Sequence, residues 1–315
     1  MHHRRPAAAF GALAALFIVG IVKWPGPATV LDAAALRVDR VRLMADVRWL
    51  ADPQRAGRGV GTPGGLDARR WIAAEFASIG LVPAGKDGYL QPFSSTGRGV
   101  SPPDAANVIG RREGRSPALR ALIVSAHYDH LGTADGMVFP GADDNASGVA
   151  VLLAVARLLA TAAPKHPVYF AAFDAEEAGL VGARAFLESP PVPRDRMAIN
   201  INLDMVSRST RRELYASGTY FNRGLIKILE PVRRRSAIAL KYGHDRPEQG
   251  EDDWTMQSDH GVFHARGVPH IYFGVENHED YHKPTDTADR IDPAFFGAAA
   301  DTIVDAVEAL DRMLP

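Results

Sequence analysis

The 315-residue chain contains no cysteine. That absence excludes disulfides, thiolate metal sites, a cysteine nucleophile and a lipidated cysteine. A surplus of one charge is missing too, since 36 basic and 37 acidic residues leave a formal net charge of -1. Such a balance gives no footing to a nucleic-acid partner or a broad membrane-binding surface. No G-x-S-x-G occurs, so a serine-hydrolase elbow is unsupported. The glycine-rich loop Gly57 to Gly65 lacks the Lys-Ser/Thr ending of a phosphate-binding loop. Internal repeats and low-complexity tracts are absent as well. What the chain does have is eleven histidines. Without sulfur, any metal must be held by His, Asp and Glu.

The N-terminus has the layout of a targeting segment. Basic His2-His3-Arg4-Arg5 precedes an unbroken small and apolar run from Ala7 to Val22, and Gly26-Pro27-Ala28 offers a small-x-small cleavage site. The run is long for a signal core and short for a span of about 20 residues. A cleaved signal and an uncleaved membrane anchor both fit. Either one implies export, to a periplasmic or extracellular site, with residues 1–33 as leader and linker and 34–315 as one domain.

Within that domain, helical and strand patterns alternate. Apolar spacing predicts helices over Val38 to Leu50 and Leu66 to Ile79, the second closed by Gly80. Apolar runs predict strands at Asn107 to Gly110, Ala121 to Ser125, Val168 to Phe173, Ile199 to Met205 and Pro269 to Phe273. Between and after them come helices at Val149 to Ala163, Ala178 to Leu187, Phe221 to Arg235, Gly261 to Ala265 and Phe295 to Met313. The expected class is α/β, a mostly parallel mixed central sheet with helices on both faces.

Ligands of such a sheet collect at the carboxyl ends of strands. Five places there supply His, Asp or Glu: His127-Tyr128-Asp129-His130, Asp143-Asp144, Asp174 with Glu176-Glu177, Asp204, and His278 to His282. Any one of them is more often a cap or a surface charge. Five together are hard to explain as solvated loops. In Gly141-Ala142-Asp143-Asp144-Asn145-Ala146-Ser147-Gly148, Ser147 or Asn145 is a candidate cap for the apolar helix that follows. A sulfur-free set of two His and three carboxylates suits zinc. Two zinc ions about 3.5–4 Å apart need a shared ligand, and a carboxylate can bridge them.

These motifs, with Glu176-Glu177-Ala178-Gly179-Leu180, Asn202-Leu203-Asp204-Met205, Ser258-Asp259-His260 and Tyr281-His282, resemble the secreted di-zinc aminopeptidase family. Its clan also holds glutamate carboxypeptidase and glutaminyl cyclase. The resemblance implies a zinc-exopeptidase fold acting on peptide substrates, with one Zn2+ held by His127, Asp144 and Asp204. A second Zn2+ would be held by Asp144, Glu177 and His282, with Asp144 as the bridge. It also implies Glu176 as general base, Tyr281 as oxyanion donor, and Asp129 as acceptor of the free ring N–H of His127. A strained peptide bond at Asp144–Asn145 is a further family expectation. Zinc would make hydroxide available by lowering the pKa of bound water to roughly 7.

His278-Glu279-Asp280-Tyr281-His282 formally matches H-E-x-x-H, a motif that needs a helix to bring both histidines to one face. Gly274 and Asn277 before it and Pro284 after it argue against a helix. His282 is therefore read as a ligand from a loop, and His278 as a solvated residue or one that supports a ligand. Three readings compete with a di-zinc aminopeptidase: a single-zinc glutaminyl cyclase, a carboxypeptidase of the same clan, and a non-catalytic ectodomain. Zinc content separates three of them: near two per chain supports the di-zinc aminopeptidase, one the cyclase, none the ectodomain. Side-chain preference and oligomeric state have no signal in the sequence.

Overall fold

Every residue of four strands is buried, and these four form the parallel centre of one sheet. The computed structural model describes residues 1–2, 36–94 and 105–315, so the expected export segment lies outside the described residues. In chain order the strands are β1 (Val82–Pro83), β2 (Leu90–Pro92), β3 (Ala106–Arg112), β4 (Ala121–His127), β5 (Gly132–Ala134) and β6 (Met137–Phe139). They continue with β7 (Val168–Phe173), β8 (Met197–Leu203), β9 (Glu213–Ser217), β10 (Ala239–Tyr242) and β11 (His270–Gly274). The main sheet runs β1-β3-β7-β4-β8-β11-β9-β10, with β2 also on β3; β5 and β6 form a separate hairpin. Antiparallel pairings β3–β7 and β9–β11 flank the parallel centre, so the sheet is mixed.

Alternation along the strands divides their side chains between two cores. Val108, Leu122, Val124 and Phe170 join a large core with the helices α1 (Arg40–Leu50), α2 (Pro63–Ile79), α3 (Gly148–Thr161), α5 (Gly224–Arg235) and α7 (Pro293–Met313). Ile109, Ile123 and Tyr169 join a smaller one with α4 (Val181–Glu188) and α6 (His260–Ala265). Local chemistry sets the helix ends. Thr62 caps α2 by accepting from Gly65 N, Pro63 sits at its first turn, and Gly80 closes it in the left-handed conformation. Residues Ala142–Thr161 are long and apolar enough to cross a membrane, but 78% of the apolar window is buried inside the protein. It is the core helix and the turn before it.

Several expectations shift, among them the start of α5, expected at Phe221 and found at Gly224. The helix expected from Ala178 begins at Val181, because Leu180 takes a left-handed conformation with φ 61°. Strands β9 and β10, which no apolar run announces, extend the sheet past β11.

His270 on β11 and His260 on α6 are buried beside one another, with ring centroids 5.5 Å apart. Burial lowers the His270 pKa to about 4 and holds His260 well below its ordinary value. Below pH ~6.5 the unfolded chain takes up protons that the folded one refuses, so this contribution to stability falls as pH drops from ~6.5 to about 4. His270→Phe should remove about 2 kcal/mol of the stability difference between pH 7.5 and pH 5. Urea unfolding of both proteins at the two pH values measures it; identical pH slopes would contradict it.

Candidate metal centre

The parallel centre brings its strand ends to one place. β4 ends on His127, β8 runs into Asp204, the turn after β7 carries Glu176 and Glu177, and the loop after β11 carries His282. His127 Nε2 lies 3.4 Å from Asp144 Oδ1 and 3.3 Å from Asp204 Oδ1. His282 Nε2 lies 3.1 Å from Asp144 Oδ2 and 3.4 Å from Glu177 Oε2. The two oxygens of Asp144 thus face two different His–carboxylate groups.

A hydrogen-bonded turn, Ala142 to Ser147, aims Asp144. The Asp286 carboxylate accepts from the backbone N–H of both Asp143 and Asp144. Asn145 Nδ2 donates to Leu203 O at 2.9 Å, and Asn145 Oδ1 accepts from Gly148 N at 2.9 Å. Asn145 therefore takes the capping bond, while the Ser147 hydroxyl donates to Asp143 O. The Asp144–Asn145 peptide bond is cis. Gly148 has no alternative here, since a Cβ would lie 2.4 Å from Leu203 O.

Asp143, the adjacent acid, points elsewhere. It is fully buried and accepts from Ser207 N, Ser207 Oγ, Ser147 Oγ and His278 Nε2. His278 is thereby tied to Asp143, and residues 275–284 form no helix, so the H-E-x-x-H spacing never becomes a shared face.

Asp129 has partners beyond the expected one. Its carboxylate accepts from the N–H of Glu176 at 3.0 Å and of Glu177 at 3.3 Å. His127 Nδ1 is 3.2 Å from the Asp129 backbone oxygen but 3.7 Å from its carboxylate, so the carbonyl is the hydrogen-bond acceptor. The Tyr281 ring stacks on His282 with centroids 3.9 Å apart. Burial, with the charges of Asp144, Asp204 and Glu177, holds its phenol well above the ordinary value, so the hydroxyl keeps its proton.

Electrostatics single out Glu176. Burial holds its carboxyl well above the usual range; Asp259, Asp204 and Glu177 push the same way, while His127 pulls it down. Glu177 goes in the other direction. Burial opposes its charge, but hydrogen bonds from His130 and His282 hold it well below the usual carboxylate range. Burial also opposes charge on His282, yet bonding to Asp144 and Glu177 raises its pKa to about 10. Adjacent acids of one turn thus have opposite proton affinities.

The residues fit zinc. The His127–Asp144–Asp204 donor atoms lie within 4.8 Å of one another, and the donor set is nitrogen and oxygen only. Tetrahedral zinc with ligand bonds of about 2.0–2.2 Å separates its ligands by roughly 3.3–3.6 Å, close to the distances above.

Three residues that sequence reasoning left unassigned belong to the centre: Arg58, His130 and Asp286. Arg58, in the glycine loop, is completely buried and donates to the carbonyls of Tyr128, Leu50, Pro140 and Gly141. It joins the chain beside His127 to the turn that carries Asp144. Burial lowers its pKa only to about 10, so it stays cationic at neutral pH. Arg58→Leu leaves these carbonyls without their donor and should cost on the order of 3–5 kcal/mol, read as a fall in the urea midpoint. An unchanged midpoint would refute that role.

The profile of Peptidase family M28 matches residues 107–307. The chain belongs to peptidase family M28. That span contains His127, Asp144, Glu176, Glu177, Asp204, Tyr281 and His282. Among M28-like relatives, aminopeptidase YwaD of Bacillus subtilis is 30% identical over 211 residues, covering 64% of this chain and 44% of that protein. A probable zinc metalloprotease of Pyricularia oryzae is 31% identical over 202 residues, 58% of this chain and 39% of its own. The chain thus spans less than half the length of these curated relatives. Among solved structures, the zinc aminopeptidase BSAP of Bacillus subtilis superposes with TM-score 0.68 at 19% identity, over 86% of this chain and 95% of that one. Glutaminyl cyclase of Porphyromonas gingivalis superposes with TM-score 0.70 at 20% identity, over 87% and 99%. These superpositions establish the zinc-exopeptidase type of α/β fold.

Proposed function

We propose that this M28 chain is an exported, zinc-dependent aminopeptidase that removes residues from the free N-termini of peptides. The observation that carries the reading is the split of Asp144, with Oδ1 toward His127 and Oδ2 toward His282. Both groups are complete, which favours two metals over the single zinc of a glutaminyl-cyclase site. It also speaks against a binding ectodomain, which would be expected to have lost ligands. Export is supported by the Ala7 to Val22 segment alone.

His127, Asp144 and Asp204 would hold one zinc, and Asp144, Glu177 and His282 the other. When bound, zinc acts as a Lewis acid that acidifies water and polarises a carbonyl. Glu176 takes the proton as water adds to the scissile carbonyl carbon. The Tyr281 hydroxyl donates to the oxyanion that develops there. As the carbon–nitrogen bond breaks, Glu176 passes the proton to the leaving amine.

Matched peptides with free and acetylated N-termini test the substrate class. The free forms should be cleaved at least tenfold faster. Preference for the acetylated forms would overturn the aminopeptidase reading.

A further inference from the structure

His130 is one of the most enclosed histidines in the molecule, with 2% of its surface exposed. Its Nδ1 lies 2.7 Å from Glu177 Oε1. An ionised carboxylate only accepts, so the ring donates. Its Nε2 has no hydrogen-bond partner among the described residues, so the ring's polar contact runs through Nδ1 alone.

Two roles fit a histidine at this place: ligand to a cation, or holder of the ligand Glu177. The atoms of His130, Asp144 and Glu177 are close enough together to hold an ion. The distances favour the second role. At 2.7 Å the His130–Glu177 contact is a hydrogen bond, well inside the roughly 3.3–3.6 Å between two tetrahedral zinc ligands. His130 Nδ1 is 3.8 Å from Asp144 Oδ2, whereas His282 Nε2 is 3.1 Å from that oxygen. Glu177 divides accordingly, Oε1 toward His130 and Oε2 toward His282.

We infer that His130 is a positioning residue: its Nδ1–H fixes Glu177 Oε1 and thereby presents Oε2 to the second metal. This rests on the di-zinc reading above. Two features show that the place is built for the ring. Gly141 stands beside it with φ 57°, and a Cβ there would come within 2.5 Å of His130 Cδ2 and 2.1 Å of Asp144 O. Asp129, the preceding residue, holds the backbone N–H groups of Glu176 and Glu177. The short stretch after β4 thus grips Glu177 at both ends, main chain by Asp129 and side chain by His130.

Zinc titration against a competing chelator tests this without reference to turnover. His130→Leu keeps bulk and removes the donor; His130→Asn keeps an amide N–H near the place of Nδ1. The expected result is two sites in the wild type, with one weakened about 10–100-fold in the Leu variant and the other unchanged. The Asn variant should recover most of that loss. Wild-type affinities in the Leu variant would overturn the proposal alone, as would an Asn variant as weak as the Leu one. If the Leu variant does not fold, Asn is compared with His130→Gln, whose amide sits one bond farther out; equal zinc affinities would overturn the proposal. Wild-type protein that binds one zinc or none would overturn the di-zinc reading beneath it.

Discussion

Glu176→Gln should lower kcat by at least about 10²–10⁴-fold while zinc content and KM stay near their wild-type values. The amide nearly matches the carboxylate in shape, so the turn after β7 should persist. Its backbone anchor, Glu176 N to Asp129 Oδ1 at 3.0 Å, does not involve the side chain that changes. What Gln lacks is the ability to take a proton from water and return it to an amine. Glu176 is outside the His127–Asp144–Asp204 group and outside the Asp144–Glu177–His282 contacts, so neither metal should depend on it. Steady-state kinetics on a free-N-terminal peptide, with zinc measured on the same samples, reads both quantities. Turnover within tenfold of wild type would remove Glu176 from the mechanism. Loss of one zinc would make it a ligand instead.

Asp144→Ala should abolish zinc binding at both sites and all measurable hydrolysis. Each group would keep one imidazole and one carboxylate, too few donors for a stable zinc site. The contrast with Asp143 makes the prediction sharp. Asp143→Asn changes an equally buried neighbour, but its partners are Ser147, Ser207 and His278. It should lower stability by about 1–3 kcal/mol and leave both zinc sites in place. Zinc analysis of the two variants after dialysis decides between the adjacent acids. A zinc-loaded Asp144→Ala protein would refute the bridging role.

Much of this centre could be read from the chain because its ligands sit at ends of strands that are themselves conspicuous. β4, β7, β8 and β11 are buried throughout, so their apolar runs mark them, and the polar residues just beyond stand out. β9 and β10 carry no such mark. β9 is five residues long and partly exposed, and it exists because it pairs with β11 on one side and β10 on the other. The supporting residues were hidden for a similar reason. Arg58 lies in a glycine loop, 83 positions from the carbonyl of Gly141 that it binds, and Asp286 lies 143 from the N–H of Asp143. Such bonds leave no periodicity in the sequence. His130 was visible as a residue, but its role depends on a ring placed against Glu177, 47 positions away. The resemblance gave Asp129 to His127 alone, and nothing in the spacing shows that its carboxylate also accepts from two backbone amides.

The zinc content of purified, dialysed wild-type protein tests the central claim most directly. About two zinc ions per chain are expected, both removable by chelator together with activity and both restored on adding zinc back. One zinc per chain, or a metal-free protein that still hydrolyses peptides, would contradict a centre bridged by Asp144.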